Sequence, residues 1–170
     1  MIAMLAVSYA SSRIRGRTTS LQVDYILERT QRVPVELEEA FAFFSQARNL
    51  EAITPPWLRF EVLRAPAELR YGSLIHYRLE LYRVPIHWLT RIATWQPSRS
   101  FVDEQIAGPY PLWEHTHRFS SVQGGTEIYD HVRYSVPGGP LGPLVQRRFV
   151  GRWLTQIFDY RAERLQEILG

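Results

Sequence analysis

The chain has 170 residues, with 20 basic and 17 acidic side chains and a formal net charge of +3, which fits one domain with room for a real core. Every basic residue is arginine, and neither lysine nor cysteine occurs. Lysine Schiff-base chemistry, a lysine-dependent phosphate loop, a thiol nucleophile, disulfides and thiolate metal sites are thereby excluded. The lack of cysteine fits a cytoplasmic protein. No apolar run reaches the roughly 18 residues of a membrane span, so stable membrane insertion is not expected.

The first twenty residues look foreign to the rest. MIAMLAVSYASS carries a short apolar stretch without a basic start, so residues 1–20 are read as a disordered leader or an early start codon. The domain is expected over residues 21–170. Leu21–Val33 predicts a first strand, with Val23, Tyr25 and Leu27 on one face. Pro34 then opens a helix as its first residue, with Glu36, Glu38 and Glu39 in the first turns and an apolar stripe of Val35, Leu37, Ala40, Phe41 and Phe44. A second short helix is expected over Arg48–Ile53, closed by Pro55-Pro56.

From there the chain alternates as strands do. Leu58–Ala65, Ser73–Val84, Pro85–Gln96 and Phe101–Ala107 are each bounded by turn residues, including a turn expected at Val84-Pro85. Two further strands lie within Gly108–Pro137. The last segment predicts one long helix over Leu144–Leu169, with Val150, Trp153, Leu154, Ile157, Arg161, Leu165 and Ile168 at helical spacing. Arg147, Arg148 and Arg152 on it read as a solvated face, so no nucleic acid is expected as a partner. A curved antiparallel sheet has one face to bury, and a long helix can cover it while leaving a cavity between them.

The hairpin within Gly108–Pro137 is the most informative stretch. Trp113, His115, His117 and Phe119 share one face of its first strand, and Ile128, Asp130, Val132, Tyr134 and Val136 share one face of its second. Residues directly opposite in an antiparallel pair share a face. A turn centred on Gln123-Gly124 pairs His117 with Asp130; one centred on Gly124-Gly125 pairs Phe119 with Asp130 and leaves His117 diagonal to it. Both registers are open, and both make the histidine and the aspartate neighbours.

Three stretches resemble the START-like superfamily of helix-grip domains, also called SRPBCC or Bet v 1-like, which includes polyketide cyclases and lipid-transfer proteins. They are FVDEQIAGPYPLWEHTHRF at Phe101–Phe119, GGTEIYDHVRYSVPGGPLG at Gly124–Gly142, and the opening Pro34–Trp57. The resemblance implies an α+β helix-grip fold: a curved antiparallel seven-stranded sheet around a long C-terminal helix, with two short helices after the first strand. It implies binding of a hydrophobic small molecule such as a lipid, isoprenoid, polyketide or aromatic metabolite. The alternatives are a cyclase or dehydratase and a module that regulates an unknown protein partner. Fold alone does not decide among them.

By strand parity, the expected ligand-binding residues are Phe60, Tyr77, Trp88, Phe101, Asp103, Gln105, Trp113, His115, His117, Phe119, Asp130 and Tyr134, with Trp153 and Ile157 from the helix. His117 and Asp130, with His115, are the candidates for acid–base chemistry, since a carboxylate beside an imidazole fixes its tautomer and raises its pKa. The plainer reading is that a buried His–Asp pair only satisfies itself. The His115-x-His117 pair with Asp130 or Asp103 could also ligate a metal, but the third ligand rests on parity alone, and neither metal nor cofactor is expected.

Overall fold

The computed structural model describes residues 23–170. The expected leader therefore lies outside the described residues. Seven strands, β1 (Asp24–Val33), β2 (Glu61–Arg64), β3 (Leu74–Leu81), β4 (Val84–Gln96), β5 (Ser100–Ala107), β6 (Leu112–Val122) and β7 (Gly125–Ser135), form one antiparallel sheet in the order β1-β7-β6-β5-β4-β3-β2. Two short helices, α1 (Leu37–Phe44) and α2 (Asn49–Ala52), follow β1. The chain ends in α3 (Gly142–Val145), a π-helical turn (Gln146–Val150) and the long α4 (Gly151–Leu169).

Several boundaries differ from the sequence reading for local reasons. Pro34 does not start α1, because β1 stays paired through Val33 opposite Thr126, and the Thr126 hydroxyl donates to the Val35 carbonyl at 2.8 Å. The helix begins only at Leu37, with Glu36 at its N-cap position in an extended conformation. Leu58 is not in a strand: Pro56–Leu58 forms a 3-10 turn, and Arg59 adopts a left-handed backbone that delays β2 to Glu61. The β3–β4 turn falls at Tyr82-Arg83 rather than Val84-Pro85. Both turn residues have positive φ (51° and 66°), as a tight primed hairpin turn requires.

The β6–β7 turn is centred on Gln123-Gly124, since Val122 pairs with Gly125, and this sets His117 directly opposite Asp130. Gly125 is needed for close approach: a Cβ there would sit 2.1 Å from the Val33 carbonyl oxygen. Register shifts in β4 between Leu89 and Thr90 and between Ile92 and Thr94 bend the sheet.

The concave face carries two apolar clusters. One joins Ala40, Phe41 and Phe44 of α1 to Ile75, Ile92, Phe101, Phe119 and Ile128 of the sheet and to Leu165 of α4. The other joins Val132, Tyr134 and Val136 to Val150, Leu154 and Phe158. Helix α4 thus serves both clusters through Leu154, Phe158 and Leu165, and the buried residue between the last two is Arg161. The inward stripe is rotated from the expected one: Phe158 replaces Ile157 as the buried position, and Ile168 is exposed. Arg147, Arg148 and Arg152 are exposed, as a solvated face should be.

Candidate functional site

Four titratable side chains meet on adjacent strands where the two clusters abut. Asp103 of β5 lies opposite His115 of β6, and His117 of β6 lies opposite Asp130 of β7. Their side chains interlock. His115 Nε2 is 2.8 Å from Asp130 Oδ1, and His117 Nδ1 is 2.9 Å from the same oxygen, though off the line of the ring N–H. On the other side, Asp103 Oδ2 is 3.2 Å from His117 Nε2 and 3.6 Å from His115 Nδ1. The two imidazoles lie with centroids 3.8 Å apart, and Phe101 stacks on His117 at 4.3 Å. The expected His117–Asp130 neighbourhood is present, but the well-directed hydrogen bond to Asp130 comes from His115, and Asp103 closes the ring of contacts.

Burial and contacts divide the protonation states. Burial pushes the His115 imidazole down, neighbouring His117 adds to this, and together they outweigh the two carboxylates. For His117 burial is the strongest influence and also acts downward, yet Asp103 and Asp130 overcome it and raise the ring's pKa. Burial alone would raise Asp130; the His115 and His117 contacts reverse that and hold its carboxyl well below the usual range. An ionised carboxylate only accepts hydrogen bonds, so His115 carries its proton on Nε2 toward Asp130. Its Nδ1 lone pair then faces Asp103.

Beside this cluster lies a cavity of about 100 Å³ bounded by the sheet, α1, α2 and α4. Of the residues singled out in the sequence, Phe60, Tyr77, Phe101, Asp103, Trp113, His115 and His117 line it. The other seven lie outside this cavity. Asp130 is 1% exposed and sits behind the histidines. Phe119 packs on Phe41 and Phe44, and Trp88 against Tyr77 and Trp113. Gln105 donates from Nε2 to the Tyr110 carbonyl at 2.5 Å. Tyr134 accepts from Gln146 Nε2 at 2.8 Å within the second cluster. Trp153 turns outward onto Tyr82 and Phe149, and Ile157 flanks the inward stripe of α4. Strand parity gives the face but not the position along it, and the cavity occupies only the end near α1 and α2.

Sequence reasoning missed the far wall. Phe43, Phe44, Gln46, Asn49, Leu50, Ile53 and Thr54 line the cavity from α1, α2 and their flanks, and Arg161 lines it from α4. Arg161 is the notable omission. It is 9% exposed, its Nε and Nη1 have no hydrogen-bond partner among the described residues, and its guanidinium lies 4.8 Å from the centre of the Phe158 ring. An arginine at a buried position of an apolar helical stripe was the signal that could have found it. Tyr77 also lines the cavity: burial raises its phenol and Asp103 raises it further, while its Thr90 contact and Arg161 work against this.

A seven-stranded antiparallel sheet, a long C-terminal helix and a few short helices define the α+β fold called Bet v 1-like or helix-grip. Protein Ms6760 from Mycobacterium smegmatis is similar, with 14% identity, a TM-score of 0.64, and coverage of 85% of this chain and 90% of that one. Protein CV1439 from Chromobacterium violaceum aligns at 11% identity and TM-score 0.66, covering 85% and 96%. Norcoclaurine synthase from Thalictrum flavum, solved in complex with dopamine and hydroxybenzaldehyde, aligns at 13% identity and TM-score 0.65, covering 94% and 95%. No curated protein matches by sequence. The family described as "Polyketide cyclase / dehydrase and lipid transport" matches residues 33–158, and the chain belongs to it. Among the described residues no helix is long and apolar enough to cross a membrane.

Proposed function

We infer that the protein binds a compact, mainly apolar molecule bearing an acidic oxygen group, in the cavity between the sheet and its helices. The observation that carries this reading is Arg161: a buried guanidinium on the cavity wall with two nitrogens lacking hydrogen-bond partners among the described residues. A buried charge without a partner is costly, and a carboxylate is the group whose geometry answers a guanidinium best. Family membership supports a hydrophobic small molecule. The volume supports a small one: about 100 Å³ lies below the roughly 300–1,000 Å³ of drug-sized pockets and nearer the roughly 150 Å³ of an apolar cavity that accepts benzene. A single-ring aromatic fits that scale, and a lipid, isoprenoid or polyketide chain would need the walls to move. The absence of cysteine supports a cytoplasmic setting.

Calorimetry with benzoate and benzyl alcohol as probes tests this reading. Benzoate binds one to one, the alcohol binds at least about tenfold more weakly, and Arg161→Met removes the difference, since one charged hydrogen-bonded contact is worth about 1.5–3 kcal/mol. Equal binding of acid and alcohol by the unaltered protein would defeat it.

A further inference from the structure

Three side chains that can each offer a metal-ligand atom, Asp103, His115 and His117, lie together at the cavity wall. His115 Nε2 and His117 Nδ1 lie 2.8 and 2.9 Å from Asp130 Oδ1, and the opposite nitrogens, His115 Nδ1 and His117 Nε2, lie 3.6 and 3.2 Å from Asp103 Oδ2. All three atoms lie within 4.8 Å of one another. A proton on His117 Nε2 makes the hydrogen bond to Asp103 Oδ2, and it is this proton that a bound cation would displace. Ligands about 2.0–2.1 Å from a tetrahedral ion sit roughly 3.3–3.4 Å apart, which is close to the two distances to Asp103 Oδ2.

We propose that Asp103, His115 and His117 form a binding site for one divalent transition-metal ion of the Zn²⁺ type, with Asp130 as the carboxylate that orients both histidines. Two imidazoles and one carboxylate suit such an ion, and the ligand set leaves a fourth position. That position faces the cavity, because all three ligands line it while Asp130 does not. Asp130 accepts from His115 Nε2, matching the common arrangement in which a metal-bound histidine gives its other N–H to a carboxylate, and its Oδ1 lies 2.9 Å from His117 Nδ1. Side-chain exposure of 1–16% across the four residues protects the site from bulk water. The metal would present a Lewis-acidic face to an oxygen of the occupant in the cavity that Arg161 also lines. The site stands or falls independently of the acid preference assigned to Arg161.

The test uses tag-free full-length protein stripped with chelator and reloaded with Zn²⁺ or Co²⁺ alone. Native mass spectrometry shows one Zn²⁺ per chain. The Co²⁺ form shows the intense visible bands of a low-coordinate nitrogen–oxygen site and two hyperfine-shifted imidazole N–H protons that exchange slowly, one from each buried ring. Asp103→Ala and His117→Ala weaken Zn²⁺ binding at least about 100-fold, and Asp130→Asn weakens it about 10–100-fold. The exposed pair of His76 and His87, with ring nitrogens 3.4 Å apart, is the competing site. Variants His76→Ala and His87→Ala retain binding. No stoichiometric binding by the unaltered protein, or binding lost in the His76 and His87 variants instead, overturns the proposal. So does a Co²⁺ form without slowly exchanging shifted N–H protons, and that readout needs no variant to fold.

Discussion

Arg161 carries a charge into a wall otherwise made of residues such as Phe44, Ile53, Ile75 and Ile92. Replacing a buried ionic group by an apolar one of similar volume is often neutral or stabilising by about 1–4 kcal/mol. Arg161→Met is therefore expected to hold or raise the midpoint of urea unfolding while losing the preference for acids. A large loss of stability would mean that the guanidinium has a structural partner. Asp130 behaves oppositely. It accepts from His115 Nε2 and lies 2.9 Å from His117 Nδ1, both buried, so Asp130→Ala should cost about 3–5 kcal/mol by the same measurement. Asp103→Ala should cost clearly less, since Asp103 is only half-buried and borders the cavity. Equal costs would contradict the division into a supporting and a presenting carboxylate. At this scale much could be read from sequence. Parity put His115 and His117 on one face of their strand and Asp103 on the face of Phe101, and matching the apolar faces of the hairpin brought Asp130 beside the histidines. It could not tell which histidine nitrogen meets which oxygen. Arg161 was counted in the helical stripe, but periodicity does not reveal that its sheet-side neighbours leave it unpaired.

Among the elements, the β6–β7 hairpin sets the site, because its register places His117 opposite Asp130. That register depends on Gly125, whose backbone has φ +150° and lies against Val33 of β1. Gly125→Ala should cost more than the roughly 1–3 kcal/mol of backbone strain alone, because Val33 must also shift. Gly124→Ala, at φ +83° with open space around it, should cost only about 1–2 kcal/mol. Thermal or urea unfolding of the two variants checks the order, and the reverse order would remove the role given to Gly125. The sheet and the long helix were legible because alternation and helical spacing persist over eight or more residues. The start of α1 and the extent of β2 were not. Pro34 looks like a helix opener in isolation, but β1 holds it through the Val33–Thr126 pairing, a contact between residues 93 positions apart (126 minus 33).

For the whole molecule, α4 bridges two apolar clusters and, with the sheet, α1 and α2, bounds the cavity, so its volume depends on every wall at once. No local pattern encodes a volume, which is why sequence could place a cavity but not size it. The size makes its own prediction. Among acids of rising apolar bulk, affinity by calorimetry should peak near one ring and fall for biphenyl carboxylate and for long-chain fatty acids. A steady rise with chain length would show that the walls open and would return a lipid to the leading place.

The central claim is that Arg161 meets an acid inside the cavity, and its side-chain N–H signals in proton–nitrogen NMR report on it most directly. One equivalent of benzoate should shift the Arg161 Nε–H and slow its exchange with water, with coupled changes at His115 and His117 and none for equimolar benzyl alcohol. Saturating benzoate that leaves Arg161 unmoved, or that shifts the exposed Arg147, Arg148 and Arg152 instead, would contradict the account.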